Sequence, residues 1–102
     1  MKKKNVIGLF TGSDDVRISS ALKIGDIIIM TANVSNVKSG WTKFPLKFDA
    51  NIVSTMLCIV HRNSINDVNL LATGSFDGST LNILSSANVV NDLQINLIMV
   101  IK

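Results

Sequence analysis

Cys58 and His61 are the only cysteine and the only histidine of the 102-residue chain, and they lie three positions apart. A cysteine nucleophile needs a base within hydrogen-bonding reach. Residues three apart on a β-strand point to opposite faces, so these two side chains cannot pair within one strand. We therefore interpret Cys58 as a buried, unreactive thiol, which is the usual state of a free cysteine.

The potential metal ligands are equally sparse. A single histidine and a single cysteine cannot complete the four-ligand set of a zinc site. Asp14, Asp15 and Asp77 lack the spacing of a calcium loop. His61 repeated around a three-fold axis is the one way to build a site, but a histidine at a strand end more often serves only in hydrogen bonding. We predict no metal and no cofactor.

The carboxylates do not suggest catalysis either. Glutamate is absent, and the seven aspartates lie nearly all in predicted turns. Glycosidases need two facing carboxyl groups, and phosphate-binding loops need a glycine-rich motif, and neither pattern occurs here. The sequence therefore predicts a protein that is not an enzyme.

A polar turn and one aromatic residue could instead bind a ligand. A guanidinium, a carboxylate and several amides follow the longest apolar stretch, and the only tryptophan could add an aromatic face for a sugar. The predicted ligand-binding residues are Trp41, His61, Arg62, Asn63, Asp67 and Asn69. The alternative is that the turn residues are those of an ordinary hairpin.

The elements that must position these residues are β-strands. Ile, Val and Thr are abundant, whereas the best helix formers are scarce, and this composition is typical of an all-β domain. We predict one domain, residues 1–102, in which residues 1–5 are a flexible basic N-terminus. Six or seven strands in an antiparallel β-sandwich are expected among the following stretches. They are Val6–Phe10, Val16–Leu22, Ile27–Val34, Trp41–Phe48, Ile52–Arg62, Val68–Thr73, Thr80–Ser86 and Leu93–Ile101.

Two of these stretches carry specific expectations. Pro45 cannot donate to a sheet ladder, so Trp41–Phe48 should be an edge strand or end in a bend, with Phe44, Leu46 and Phe48 on the core side. Within residues 79–90, Leu81 and Leu84 also have helical spacing. We prefer a strand there, because serine and asparagine are dense.

Ile52–Arg62 is apolar on both faces. Strict alternation places Ile52, Met56 and Cys58 on one face, and Leu57 and Ile59 on the other. We predict a central strand covered twice. The chain is 47% hydrophobic and only 17% charged, which is apolar for a small monomer, so a symmetric copy is the expected cover.

Charge and targeting signals exclude other classes. The net charge is +3, and the Lys2–Lys4 run accounts for all of it. A nucleic-acid-binding protein usually has a basic face with interleaved aromatic residues, and the sequence shows no such face, so we do not expect nucleic-acid binding. No signal peptide is recognisable, and the longest apolar run, Leu97–Ile101, is too short for membrane insertion.

The order of "IGDIII", "GWTKFPLKF", "NIVSTMLCIV", "FDGSTLNILSS" and "INLIMVI" resembles the C-terminal receptor-binding domains of bacteriophage tail fibres and tail tips, and is similar to H-type lectin domains. The resemblance spans roughly Ile24 to Lys102, and the Phe44-Pro45…Phe48 element is its most distinctive part.

This resemblance implies a six-stranded, H-type-lectin-like sandwich that forms a homotrimer and binds cell-surface carbohydrate or another receptor. The expected function is thus a non-enzymatic receptor- or carbohydrate-binding module of a phage or prophage tail fibre. The expected location is the virion tail, or the host cytoplasm before assembly. The alternative is a structural tail or baseplate subunit that contacts only other virion proteins.

Overall fold

Alternating apolar side chains organise the described chain into two antiparallel β-sheets that pack as a sandwich, as predicted. The computed structural model describes residues 3–60, 72–89 and 93–102. Within these ranges a short 3-10 helix, Ile7–Leu9, accompanies nine strands. The strands are β1 Lys3–Asn5, β2 Phe10–Gly12, β3 Val16–Ile24, β4 Ile27–Val34, β5 Gly40–Phe48, β6 Ile52–Val60, β7 Ala72–Phe76, β8 Thr80–Ser85 and β9 Leu93–Ile101.

The strand order places the C-terminal strand inside a sheet. The five-stranded sheet has the order β1-β3-β4-β9-β6, and the four-stranded sheet has the order β2-β5-β8-β7. In the five-stranded sheet β9 pairs with β4 from Val34–Leu93 to Ile27–Val100, and with β6 on its other side. Its two ladders make β9 an interior strand of that sheet, between β4 and β6.

The inner faces of the two sheets form the core. The predicted inward face of β9 is confirmed, since Leu93, Ile95, Leu97 and Met99 are fully buried. The predicted inward face of β5 is also confirmed, because Phe44, Leu46 and Phe48 are buried. Phe10 of β2 closes this side, with its ring centroid 4.8 Å from that of Phe48.

Strand β6 is not central, so that prediction was wrong. Among the described residues it pairs with β9 alone and so forms the edge of its sheet. Across the sandwich it lies beside β7, where the Thr55 hydroxyl donates to the Phe76 carbonyl at 3.0 Å. A strand can bury its inner apolar face at the edge of a sheet as well as in the middle, so its composition alone does not determine its position in the sheet.

A bulge also changes which β6 residues share a face. The register shifts between Ile52 and Ser54, so Ile52 packs against the core with Leu57 and Ile59, rather than lying on the face of Met56. One extra residue in a strand reverses the alternation before it. The outward face of this edge strand is open, so Cys58 is exposed, and the prediction of a buried thiol was wrong.

Pro45 marks the end of a ladder, as its missing N–H requires. Strand β5 lies between β2 and β8, but β2 pairs only with Leu46–Phe48. Ser13, just after β2, donates its amide to the Pro45 carbonyl at 3.2 Å. The edge prediction therefore holds for Gly40–Pro45, which is paired on one side only among the described residues, and fails for the last three residues.

Smaller differences concern element bounds. Val6–Phe10 is mostly the 3-10 helix rather than a strand, and Lys3–Asn5, within the segment predicted as a flexible terminus, forms β1. Thr80–Ser85 is a strand and not a helix, as preferred. Strand β7 continues to Phe76, beyond the predicted strand end at Thr73, and residues 68–71 lie outside the described ranges. None of the described residues belongs to a helix with the length and apolar character that crossing a membrane requires.

Candidate functional site

Trp41 is the predicted ligand-binding residue whose surroundings the structure describes, and its side chain is 62% exposed. The other predicted site residues lie outside the described residues. These are His61, Arg62, Asn63, Asp67 and Asn69. The candidate site is therefore built around Trp41.

The inner face of β5 determines where Trp41 points. Phe44, Leu46 and Phe48 face the core. Because side chains alternate along a strand, Trp41 and Lys43 project from the outer face of the four-stranded sheet. The loop before them is fixed, since the Lys38 amide donates to the Thr42 hydroxyl at 2.9 Å.

Strand pairing brings polar side chains beside Trp41. Lys43 is opposite Asn82 on β8, and Asn82 is opposite Ser75 on β7. This polar row runs next to the row that joins Trp41, Leu84 and Thr73. Sheet neighbours two residues apart along a strand lie close enough for one ligand to touch both rows.

An open depression of about 400 Å³ lies where these rows meet. Its lining residues are Trp41, Lys43, Ser75 and Asn82. They offer an indole face, an ammonium donor, a hydroxyl, and an amide that both donates and accepts. A second depression of about 370 Å³ begins at Thr73 and Leu84, the cross-strand neighbours of Trp41. We call the two rows and the first depression the Trp41 platform.

The charge of the Trp41 platform is positive. Among the residues that the structure describes, Lys43 is the only charged one that lines it. Lys47 projects from the same outer face of β5, further along the strand. No carboxylate of the described residues lines the first depression, so the field of these residues favours an anion or a dense set of hydroxyl acceptors.

The turn that joins β7 to β8 supports the platform from one end. One carboxylate oxygen of Asp77 accepts the amides of Ser79 and Thr80, each at 2.8 Å. These two bonds hold the pKa of Asp77 below its usual value of 3.8. The turn thereby fixes the hairpin that carries Ser75 and Asn82.

The partners of Trp41 were missed in the sequence because Ser75 and Asn82 lie more than 30 positions away in the chain. The alternation of β5 and β8 could have marked Lys43 and Asn82 as outward. It could not show that the strands pair. In the part of the chain that the structure describes, no three potential metal-ligating side chains come together. Comparison with protein-family models, with curated proteins and with solved structures finds no match to this chain.

Proposed function

We propose that this protein is a non-enzymatic carbohydrate-binding module and that the Trp41 platform is its binding site. The apolar face of a pyranose ring stacks on an indole, while its hydroxyl groups need donors and acceptors at the rim. The platform supplies both kinds of contact on one rigid sheet. This site replaces the polar turn at residues 61–69 as the centre of the proposal.

The observation that carries the proposal is the distribution of aromatic residues. All four phenylalanines are buried in the core, and they are Phe10, Phe44, Phe48 and Phe76. The only tryptophan, which has the largest apolar surface to hide, is 62% exposed beside a polar depression. Tryptophan in such a position is typical of a contact surface rather than of packing.

The positive charge of Lys43 indicates which class of sugar the site would prefer. Lys43 lines the depression, and among the described residues no acidic side chain lines it beside Lys43. We infer that the preferred ligand carries a carboxylate or a phosphate next to the ring that stacks on Trp41. Charge-assisted hydrogen bonds of this kind are stronger than neutral ones.

The biological setting proposed is the one that the resemblance implies, namely recognition of a cell-surface glycan by a phage or prophage tail-fibre protein. A shallow, open site binds weakly on its own. Display of several sites on one assembly raises the overall avidity by orders of magnitude, so such a module works best in a multimer.

A glycan array followed by titration calorimetry tests the proposal. We expect Trp41→Ala to lower the affinity at least about tenfold, which corresponds to about 1.4 kcal/mol. Trp41→Phe should retain part of the affinity, because it keeps an aromatic face. Circular dichroism establishes that each variant is folded.

A folded protein that binds no glycan, or a Trp41→Ala variant that binds as well as the parent, contradicts the proposal. Assembly with tail or baseplate proteins in the absence of any sugar affinity would support the alternative role of a structural subunit.

The preference for an acidic sugar has its own matched pair of variants. Lys43→Gln should weaken binding and reduce its dependence on salt, because one charge contact is lost. Lys47→Gln removes the same charge from the same strand outside the depression, so we expect a smaller effect. Equal effects of the two substitutions would contradict a specific contact at Lys43 and indicate general attraction only.

A further inference from the structure

The outer face of the five-stranded sheet carries a band of apolar side chains that runs across the strands. In one row Leu22, Ile29, Ile98 and Met56 are cross-strand neighbours, and in the next Ile24, Ile27 and Val100 are neighbours. We call these two rows the apolar band. Its members belong to β3, β4, β9 and β6, so it spans the four long strands of the sheet.

The apolar band is exposed in the single chain. Its side chains on β4, β6 and β9 are between 36% and 62% exposed. At these fractions the band approaches the roughly 300–600 Å² that the largest apolar patch of a monomer covers, and patches of that size are often functional. Val53, in the bulge beside it, adds a further apolar side chain that is 62% exposed.

On β3, β4 and β9 the remainder of the same face is polar, whereas β6 contributes Cys58 and Val60 to these rows. Next to the apolar band, the Thr31 hydroxyl donates to the Asn96 side-chain oxygen at 3.1 Å. Arg17, Asn33 and Gln94 continue this polar half in register. The division into an apolar and a polar half shows that the exposed apolar residues are concentrated rather than scattered.

We propose that a second copy of this chain covers the apolar band, with the five-stranded sheets of the two copies packed face to face. The band contains no charged side chain, and it lies on a sheet surface rather than in a groove. A sheet surface suits another sheet, since two sheets pack about 10 Å apart with interlocking side chains. A two-fold axis through the band brings the same apolar rows together from both copies.

The size of the face suits such a pairing. Four strands of eight or nine residues form it. At about 4.8 Å between strands and about 3.3 Å per residue, they span roughly 500 Å² in projection. Accessible surface exceeds projected area, so this face approaches the roughly 800 Å² that each partner buries in a stable complex.

The direction of the apolar band favours two copies over the three that the resemblance implies. A three-fold axis parallel to the strands would bring the full length of β4 and β9 together, which includes the polar pair Thr31 and Asn96. A two-fold axis through the apolar band instead places the apolar rows at the centre of the paired faces and the polar pair, with Cys58 opposite Asn96, toward the edge of the contact. The Trp41 platform is on the other sheet and stays open in either arrangement.

Sedimentation velocity over a range of concentrations tests the pairing. The parent protein is expected at about 22 kDa, twice its chain mass of 11.0 kDa. Combining Ile29→Lys with Met56→Lys places two positive charges from each copy in the interface and should shift the species to 11.0 kDa. Met56→Lys alone adds one charge, and its matched control is Thr11→Lys, which adds one charge to the outer face of the four-stranded sheet and should leave the dimer intact.

A parent protein that stays monomeric at 100-micromolar scale, a trimer, or a folded double variant that remains dimeric would each overturn the proposal. Cys58 gives a second measurement that needs no substitution, because it is exposed beside Met56 on the same face of β6. Its rate of alkylation should rise severalfold on dilution as dimers dissociate. A rate that is independent of protein concentration would also overturn the pairing.

Discussion

At the scale of single residues, one carboxylate organises the turn between β7 and β8 in the four-stranded sheet. Asp77 accepts two backbone amides, from Ser79 and Thr80, and both are hydrogen bonds that only an oxygen acceptor at this position can receive. Such turns are favoured by aspartate because its short side chain reaches the amides two and three residues ahead. The turn therefore depends on the chemistry of one side chain and little on packing.

Asp77→Ala should lower the melting temperature by a few degrees, because two amides lose their acceptor. Asp77→Asn is the control, since its amide oxygen can accept the same bonds without the charge. We expect it to retain most of the stability at neutral pH. Thermal unfolding followed by circular dichroism measures both, and an unchanged melting temperature for the alanine variant would show that water replaces the carboxylate without cost.

The same residue predicts a pH effect. The folded-state pKa of Asp77 lies below 3.8, the value expected for the unfolded chain. The stabilisation is therefore complete at pH values well above 3.8 and is lost as the pH falls through the lower, folded-state pKa. Melting curves between neutral and acidic pH should show a smaller acid loss for Asp77→Asn than for the parent. Identical acid losses would contradict a depressed pKa.

At the scale of strands, the sandwich closes where β6 and β7 meet. Gly74 of β7 faces inward at this corner, and a methyl group there would meet the Asn82 carbonyl oxygen and lie 2.6 Å from a methyl carbon of Leu57. The close approach of three strands thus requires a residue without a side chain.

Gly74→Ala should reduce the free energy of unfolding by roughly 1 to 3 kcal/mol, because the added methyl forces the backbone of β8 or the side chain of Leu57 to move. Gly8→Ala is the matched control, since no atom lies within 4 Å of the added methyl group there. Chemical denaturation gives both values. Equal stability of the two variants would mean that the corner is looser than the structure shows.

The sequence predicts strands well where one face is strictly apolar. In β9 every second residue from Leu93 to Ile101 is apolar and buried, and in β5 the three core residues were identified by alternation alone. It fails at β6, because a bulge resets the alternation and because an apolar strand at a sheet edge looks like one at the centre. For the candidate site it gave Trp41 but not Asn82 or Ser75, since pairing between distant strands leaves no local pattern.

At the scale of the whole molecule, β9 pairs with β4 on one side and with β6 on the other, and its inner face packs in the core. Leu97 is fully buried and lies opposite Met30 on one side and Leu57 on the other. Leu97→Ala should lower the free energy of unfolding by about 2 to 5 kcal/mol, because it leaves a cavity that the paired strands cannot move in to fill.

The conservative variant Leu97→Met keeps the side-chain volume nearly unchanged and should lower the free energy of unfolding by less than about 1.5 kcal/mol. Urea denaturation measures both. If the alanine variant loses less than about 1 kcal/mol of unfolding free energy, Leu97 is not part of the main packing of the domain. Because Leu97 is on the inner face of the opposite sheet, binding at the Trp41 platform should change little in any variant that remains folded.

The position of β9 between β4 and β6 also determines when the domain can assemble. Thr31 and Asn96, which touch across the β4–β9 ladder, are 65 residues apart in the chain. Strands β4 and β6 have no direct pairing with each other, so their sheet stays split until the C-terminal segment arrives between them. Such long-range closure makes folding slow, on the order of milliseconds to seconds. A chain under synthesis would thus expose two unjoined sheet edges until β9 has been made.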